Sequence, residues 1–196
     1  MDDSENPHGP FFQRFGWDDT AALAREIESV SADLARARKD DDEPGQLAAA
    51  NTLGNLLTTA RQEKAAADLE EWALALARRL GDKHEEAAAL MNLATARQYL
   101  GQRDDAQTLF DEALDCGDPV LESAIQHHRG RCYAEQGRKD EARLCFQRAL
   151  YLRTQAGEPR AAKSQAALDA LDAMSEPVAM PVTNIRDRLT RTSETP

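Results

Sequence analysis

Leu90-Met-Asn-Leu-Ala-Thr-Ala-Arg-Gln-Tyr-Leu-Gly-Gln-Arg-Asp-Asp-Ala-Gln-Thr-Leu-Phe-Asp-Glu-Ala-Leu114 is the stretch whose reading decides the fold. Two short amphipathic helices meet at Leu100-Gly101-Gln102, with glycine placed where a helix ends. Ala94 and Ala106 are small where the helices press together, while Leu93, Phe110 and Leu114 supply apolar bulk. A lone hairpin of this size has nothing to bury its second face against, so it must be one unit of a stack.

Copies exist on both sides. Leu53 and Leu93, Ala66 and Ala106, Ala73 and Ala113, and Leu74 and Leu114 are each 40 positions apart. Downstream the step is 36: Gly101 becomes Gly137, Ala106 becomes Ala142, Phe110 becomes Phe146, and Ala113-Leu114 becomes Ala149-Leu150. Helix pairs are expected at about 46–60 and 63–80, 85–100 and 103–116, and 120–136 and 139–155. A leading helix over Thr20 to Arg38 carries Leu23, Ile27, Val30 and Leu34 on one stripe. A last alanine-rich helix runs from Pro159 to Met174 and covers the far end. Pro44 suits the first turn of one helix, and Asp118-Pro119 reads as the cap and first turn of another.

These residues resemble tetratricopeptide repeats, in particular the 40-residue kind found in kinesin-light-chain-like proteins. The resemblance rests on Leu53-Gly54, Ala66 and Ala73-Leu74, then on Leu93-Ala94, Gly101, Ala106, Phe110 and Ala113-Leu114. In the third unit it rests on Gly130, Tyr133, Gly137, Ala142, Phe146 and Ala149-Leu150. It implies an all-α, TPR-like α-solenoid: a right-handed superhelix of about three full repeats, with a leading half-repeat helix and a C-terminal capping helix. Departures mark both ends. The family's tryptophan is Ala50, Leu90 and Gln126, Glu70 replaces an aromatic, and Arg129 replaces a leucine.

At 196 residues the chain fits one domain with tails. The divisions expected are a flexible aromatic arm at 1–17, a repeat domain at 18–174 and a disordered tail at 175–196. The arm holds Phe11, Phe12, Phe15 and Trp17. It reads either as a cap folded onto the exposed end of the first helix or as a short motif that docks in a groove, its own or a partner's. The cap is preferred, because an open solenoid end needs covering.

The formal charge of −11 repels phosphate backbones, which argues against nucleic acid and for a basic peptide or protein as partner. Cys116, Cys132 and Cys145 are odd in number and read as reduced thiols in a cytoplasmic protein. The opening residues lack the pattern of a signal peptide, and no apolar run is long enough to cross a membrane. No phosphate loop, nucleophile elbow or kinase signature is present, so no enzyme and no cofactor are expected. His128 and Cys132 lie four apart, but the spacing of a four-ligand zinc site is absent.

The resemblance places the first helix of each unit on a concave surface. By position that surface carries Asn51, Asn55 and Thr58, then Met91, Asn92, Thr95 and Gln98, then His127, His128, Arg131 and Glu135. An asparagine amide offers donor and acceptor together, so Asn55 and Asn92 are expected to hold the backbone of an extended peptide, as related repeats do, with Arg131 contacting a carboxylate or carbonyl. The cations that grip a C-terminal carboxylate in chaperone-binding repeats are missing: Asn51, Ala124 and His128 stand in their places. The function expected is a non-enzymatic module that binds an extended peptide or helix of a partner protein. The alternative is a self-associating scaffold, a homodimer, or a regulatory subunit acting in trans on a transcriptional or signalling partner.

Overall fold

The computed structural model describes residues 11–14 and 16–174. Its elements are α1 (Thr20–Lys39), α2 (Glu43–Thr59), α3 (Glu63–Leu80), α4 (Lys83–Tyr99), α5 (Arg103–Asp115), α6 (Glu122–Glu135), α7 (Lys139–Gln155) and α8 (Ala161–Ala173). No strand occurs among the described residues. The tail expected at 175–196, and residues 1–10 of the arm, lie outside them.

Helix starts follow local chemistry. Asp19, Asp42 and Asp82 each accept a hydrogen bond from a backbone N–H three residues on, at Ala22, Gly45 and Glu85. Pro44 sits in the first turn of α2, so that helix begins earlier than the apolar pattern suggests. Asp118 departs from expectation. Its carboxylate accepts from the N–H groups of Val120 and Leu121 at 2.8 and 3.0 Å, which folds 119–121 into a turn, and α6 begins only at Glu122. Gly101 and Gly137 close the helical hairpins with φ of 80° and 73°. In the first unit the same step falls on Arg61, at φ 63°.

The helices pair as α2/α3, α4/α5 and α6/α7, with α1 against α2 and α8 against α7. α2, α4, α6 and α8 touch one another in series, whereas α1, α3, α5 and α7 do not among the described residues. The stack is therefore closed along the even-numbered helices and splayed along the odd ones, as a curved solenoid requires.

The repeat frame is the core. Ala66, Ala73, Ala106, Ala113, Ala142 and Ala149 are all fully buried, where large side chains would hold the helices apart. Phe110 and Phe146 fill the intervening space. Glu70 occupies the same place in the first unit and is as fully buried as they are. Its carboxylate accepts from Asn92 Nδ2 at 3.0 Å, and burial pushes its pKa well above the usual range. One apolar cluster joins α1 through α6. A second gathers Tyr133, Ala134, Ala142, Cys145, Phe146, Ala167, Leu168 and Leu171, and Phe12 of the arm belongs to it.

Candidate peptide-binding groove

Residues 11–14 lie across the inner face, and their contacts define a site. Phe11 packs edge-on against Tyr99 of α4, with ring centroids 4.9 Å apart. Phe12 stacks on Phe146 of α7 at 5.7 Å. Both rings are more than nine-tenths buried. Between them the backbone is gripped at two atoms. The Phe12 N–H donates to Glu135 Oε1 at 3.1 Å, and the Phe12 carbonyl accepts from Arg131 Nε at 3.0 Å. Gln13 Nε2 donates to the Ala166 carbonyl on α8 at 3.1 Å. Arg14 spans the other way: its guanidinium lies 4.1 Å from the Tyr99 ring centroid, donates to the Thr58 carbonyl and pairs with Glu63.

The grip is preorganised from beneath. Glu135 has no exposed side-chain surface, and besides Phe12 it accepts from Gln98 Nε2 at 2.7 Å and Arg103 Nε at 3.0 Å. Burial pushes its pKa up against those donors. Arg131 is 2% exposed and donates from its far nitrogen to the Tyr99 hydroxyl. A buried carboxylate acceptor and a buried guanidinium donor thus hold both backbone groups of one residue, which is how a short segment can be held in low dielectric. Such a pair reads backbone and is indifferent to the side chain between.

The remaining groove residues named by position have varied settings. His127 and His128 lie beside Arg131 and Arg153, where burial and positive neighbours hold both imidazoles neutral, His127 down to about 3. Asn51 donates to the Glu85 carbonyl and carboxylate, and Asn92 donates to the Asn51 carbonyl at 2.9 Å as well as to Glu70. Both amide hydrogens of Asn92 are therefore committed between helices. Asn55 is exposed and Met91 half-buried. Thr58 and Thr95 turn their hydroxyls back onto the Gly54 and Met91 carbonyls of their own helices. Position on the concave face does not single out Tyr99, Arg103, Phe146 and Glu63, yet all four contact the arm or its anchor.

Trp17 lies apart from this site. It is 45% exposed and borders an apolar recess with Thr20, Leu23, Ile27 and Ala60 near the start of α1. The cap reading thus fits Trp17, while Phe11 and Phe12 take the alternative and dock in the chain's own groove. Among the described residues no group of three histidine, cysteine or acidic side chains comes together. The three cysteines are free, and burial raises the Cys132 thiol to about 12. No described helix is long and apolar enough to cross a membrane.

Residues 85–155 match the family model of the tetratricopeptide repeat. No curated protein matches the chain. Among solved structures it is similar to kinesin-light-chain TPR-like repeats from Podosopora anserina, at 21% identity and a TM-score of 0.58, with 79% of each chain covered. A second structure of those repeats gives 20% and 0.59 over the same coverage. BtubC (BKLC) from P. vanneervenii is 20% identical with a TM-score of 0.64, covering 78% of this chain and 66% of that one. At such identities the likeness is one of fold.

Proposed function

We propose that this tetratricopeptide-repeat protein, whose solenoid is of the kinesin-light-chain-like kind, captures a short peptide segment of a partner protein on the face formed by α4, α6 and α7. Repeats of this family generally mediate protein–protein interaction, and the fold is a typical non-enzymatic scaffold. The finer reading is carried by one observation: Glu135 accepts from the N–H of Phe12 while Arg131 donates to the carbonyl of the same residue, so both backbone groups of Phe12 are held where the arm turns. The backbone role expected of Asn92 passes to this acid–guanidinium pair, because its amide donors are already used between helices. The Glu63 socket, filled by Arg14, suits a basic partner. Three free thiols and the acidic surface fit a cytoplasmic setting.

Panning a displayed peptide library on the full chain tests the reading. Binders should lose at least tenfold in affinity with Arg131→Lys or Glu135→Gln and be unchanged by Arg143→Ala, whose side chain pairs with Asp172 between α7 and α8. Binders indifferent to the first two changes would remove the groove as the site. A second reading, self-association, is favoured by the same arm: two copies exchanging residues 11–14 would use identical contacts. Light scattering on the full chain and on a chain starting at Asp18 separates them, and monomers in both dispose of the dimer.

A further inference from the structure

The arm in the groove specifies a ligand. We propose that residues 11–14 are a built-in occupant, and that the partner displacing them carries the same signature: two consecutive aromatic residues, a residue that accepts a left-handed backbone, then arginine. This deepens the groove reading and rests on it. Each position of the signature answers to a distinct feature. The first ring needs an edge-on aromatic with cations beside it, supplied by Tyr99 at 4.9 Å and by the Arg103 guanidinium, 5.8 Å from the Phe11 centroid. The second ring enters an apolar cluster made by Phe146, Tyr133, Ala142 and Leu168. The third residue is exposed, donates a side-chain amide to the Ala166 carbonyl and sits in a turn at φ 47°, which favours glycine, asparagine or another residue that tolerates the left-handed region over a β-branched one. The fourth must be a planar cation, because it lies over Tyr99 while pairing with Glu63 and reaching the Thr58 carbonyl.

Among the described residues the occupant is held at these four positions, and a short stretch joins them to Thr20. A tethered segment competes at an effective concentration on the order of millimolar. A partner with only one ring or no cation would therefore fail to displace it, and the arm acts as a filter on ligand sequence as well as a plug.

The probe is a fluorescent synthetic peptide spanning His8 to Asp18, titrated into the full chain and two full-length variants that release the arm. The variants are the double change Phe11→Ala with Phe12→Ala, and Arg14→Glu, which sets a like charge against Glu63 without removing either ring. Both released variants should bind the peptide at least tenfold tighter than the unaltered chain. Peptides with alanine for either phenylalanine or for the arginine should bind at least tenfold more weakly. A library panned on the Arg14→Glu chain should be enriched in two aromatics and an arginine separated by one residue that is not β-branched. Absence of binding to both released variants, or equal binding of the alanine peptides, overturns the proposal. Library binders that map to Arg131 and Glu135 without the pattern would sink the signature and leave the groove reading intact, whereas binders that map elsewhere would sink both. A micromolar dimer of the unaltered chain would make another copy's arm the occupant and also overturn it.

Discussion

The two seams between repeats are built differently. Where α3 meets α4, helices of 18 and 17 residues are joined through Gly81-Asp82 and pack along their length. Asn92 stitches that seam from within, tying α4 to the Asn51 carbonyl and to Glu70. Where α5 meets α6, the helices have 13 and 14 residues, the connection runs from Cys116 to Leu121, and the packing is sparser. The arm lies across this second seam, with Phe11 on α4 and Phe12 among α6, α7 and α8. The shortening of the repeat step from 40 to 36 thus leaves an incomplete joint, and a segment from the far end of the chain completes it. On the proposed reading, exchange of the arm for a ligand would couple to the stability of α6–α8.

The steepest contrast should come from Gly130→Ala. A Cβ there would lie 2.8 Å from the Phe146 ring, so α6 and α7 must move apart. Overpacking of this kind costs about 2–3 kcal/mol, and chemical denaturation should show the loss as a lowered midpoint.

Next is the other seam. Asn92→Ala withdraws the donor from Glu70, and a buried polar group left without its partner costs about 2 kcal/mol. Hydrogen exchange should register that loss in α2–α4 before α6–α8 responds; a uniform response would erase the distinction between the seams.

Acid should act on α6–α8, where His127 faces Phe146, Arg153, Ser164 and Lys163. His127 is held neutral down to about 3 in the folded chain, whereas an unfolded histidine takes up its proton near 6.5. Its contribution is therefore present above about 6.5 and is lost as pH falls below it, by about 1.4 kcal/mol at pH 5.5. The raised carboxyls of Glu70 and Glu135 act in the opposite sense, their stabilisation being lost as pH rises through their folded pKa. The comparison to make is His127→Gln against the unaltered chain in melts at pH 7.5 and 5.5. The variant should lose less on acidification, and equal losses would discard the assignment.

The smallest effect has the opposite sign. Arg61→Gly places at φ 63° the residue type that Gly101 and Gly137 supply at the same step, and relieving a left-handed non-glycine is worth about 1 kcal/mol. A raised melting temperature is expected, and a fall would mean that the Arg61 side chain contributes more than its backbone strain.

The fold was legible because it is periodic. Alanines at 66, 106 and 142 recur with glycine turns between most helices, and such local signals place helix bounds to within three residues. Asp118 misled because an aspartate before proline can fold a turn as readily as cap a helix. Glu70 was visible as an aromatic replaced by an acid, but that its burial would draw Asn92 inward depends on which helix faces it. The arm was harder still. Nothing periodic links Phe12 to Arg131, 119 residues away, and only the exclusion of rings from water says they must be buried somewhere. Tyr99 carried a weak sign of its own, as a large ring just before the turn at Gly101, but not the identity of its neighbour.

The most direct measurement is amide hydrogen exchange of the full chain, read at Phe12. Its N–H is donated to Glu135 beneath two packed rings, so it should exchange at least tenfold more slowly than an unstructured amide and return to the unstructured rate in the Arg14→Glu chain. An unprotected Phe12 amide in the unaltered chain, alongside well-protected amides at Leu93 and Ala94, would show that the arm does not occupy the groove.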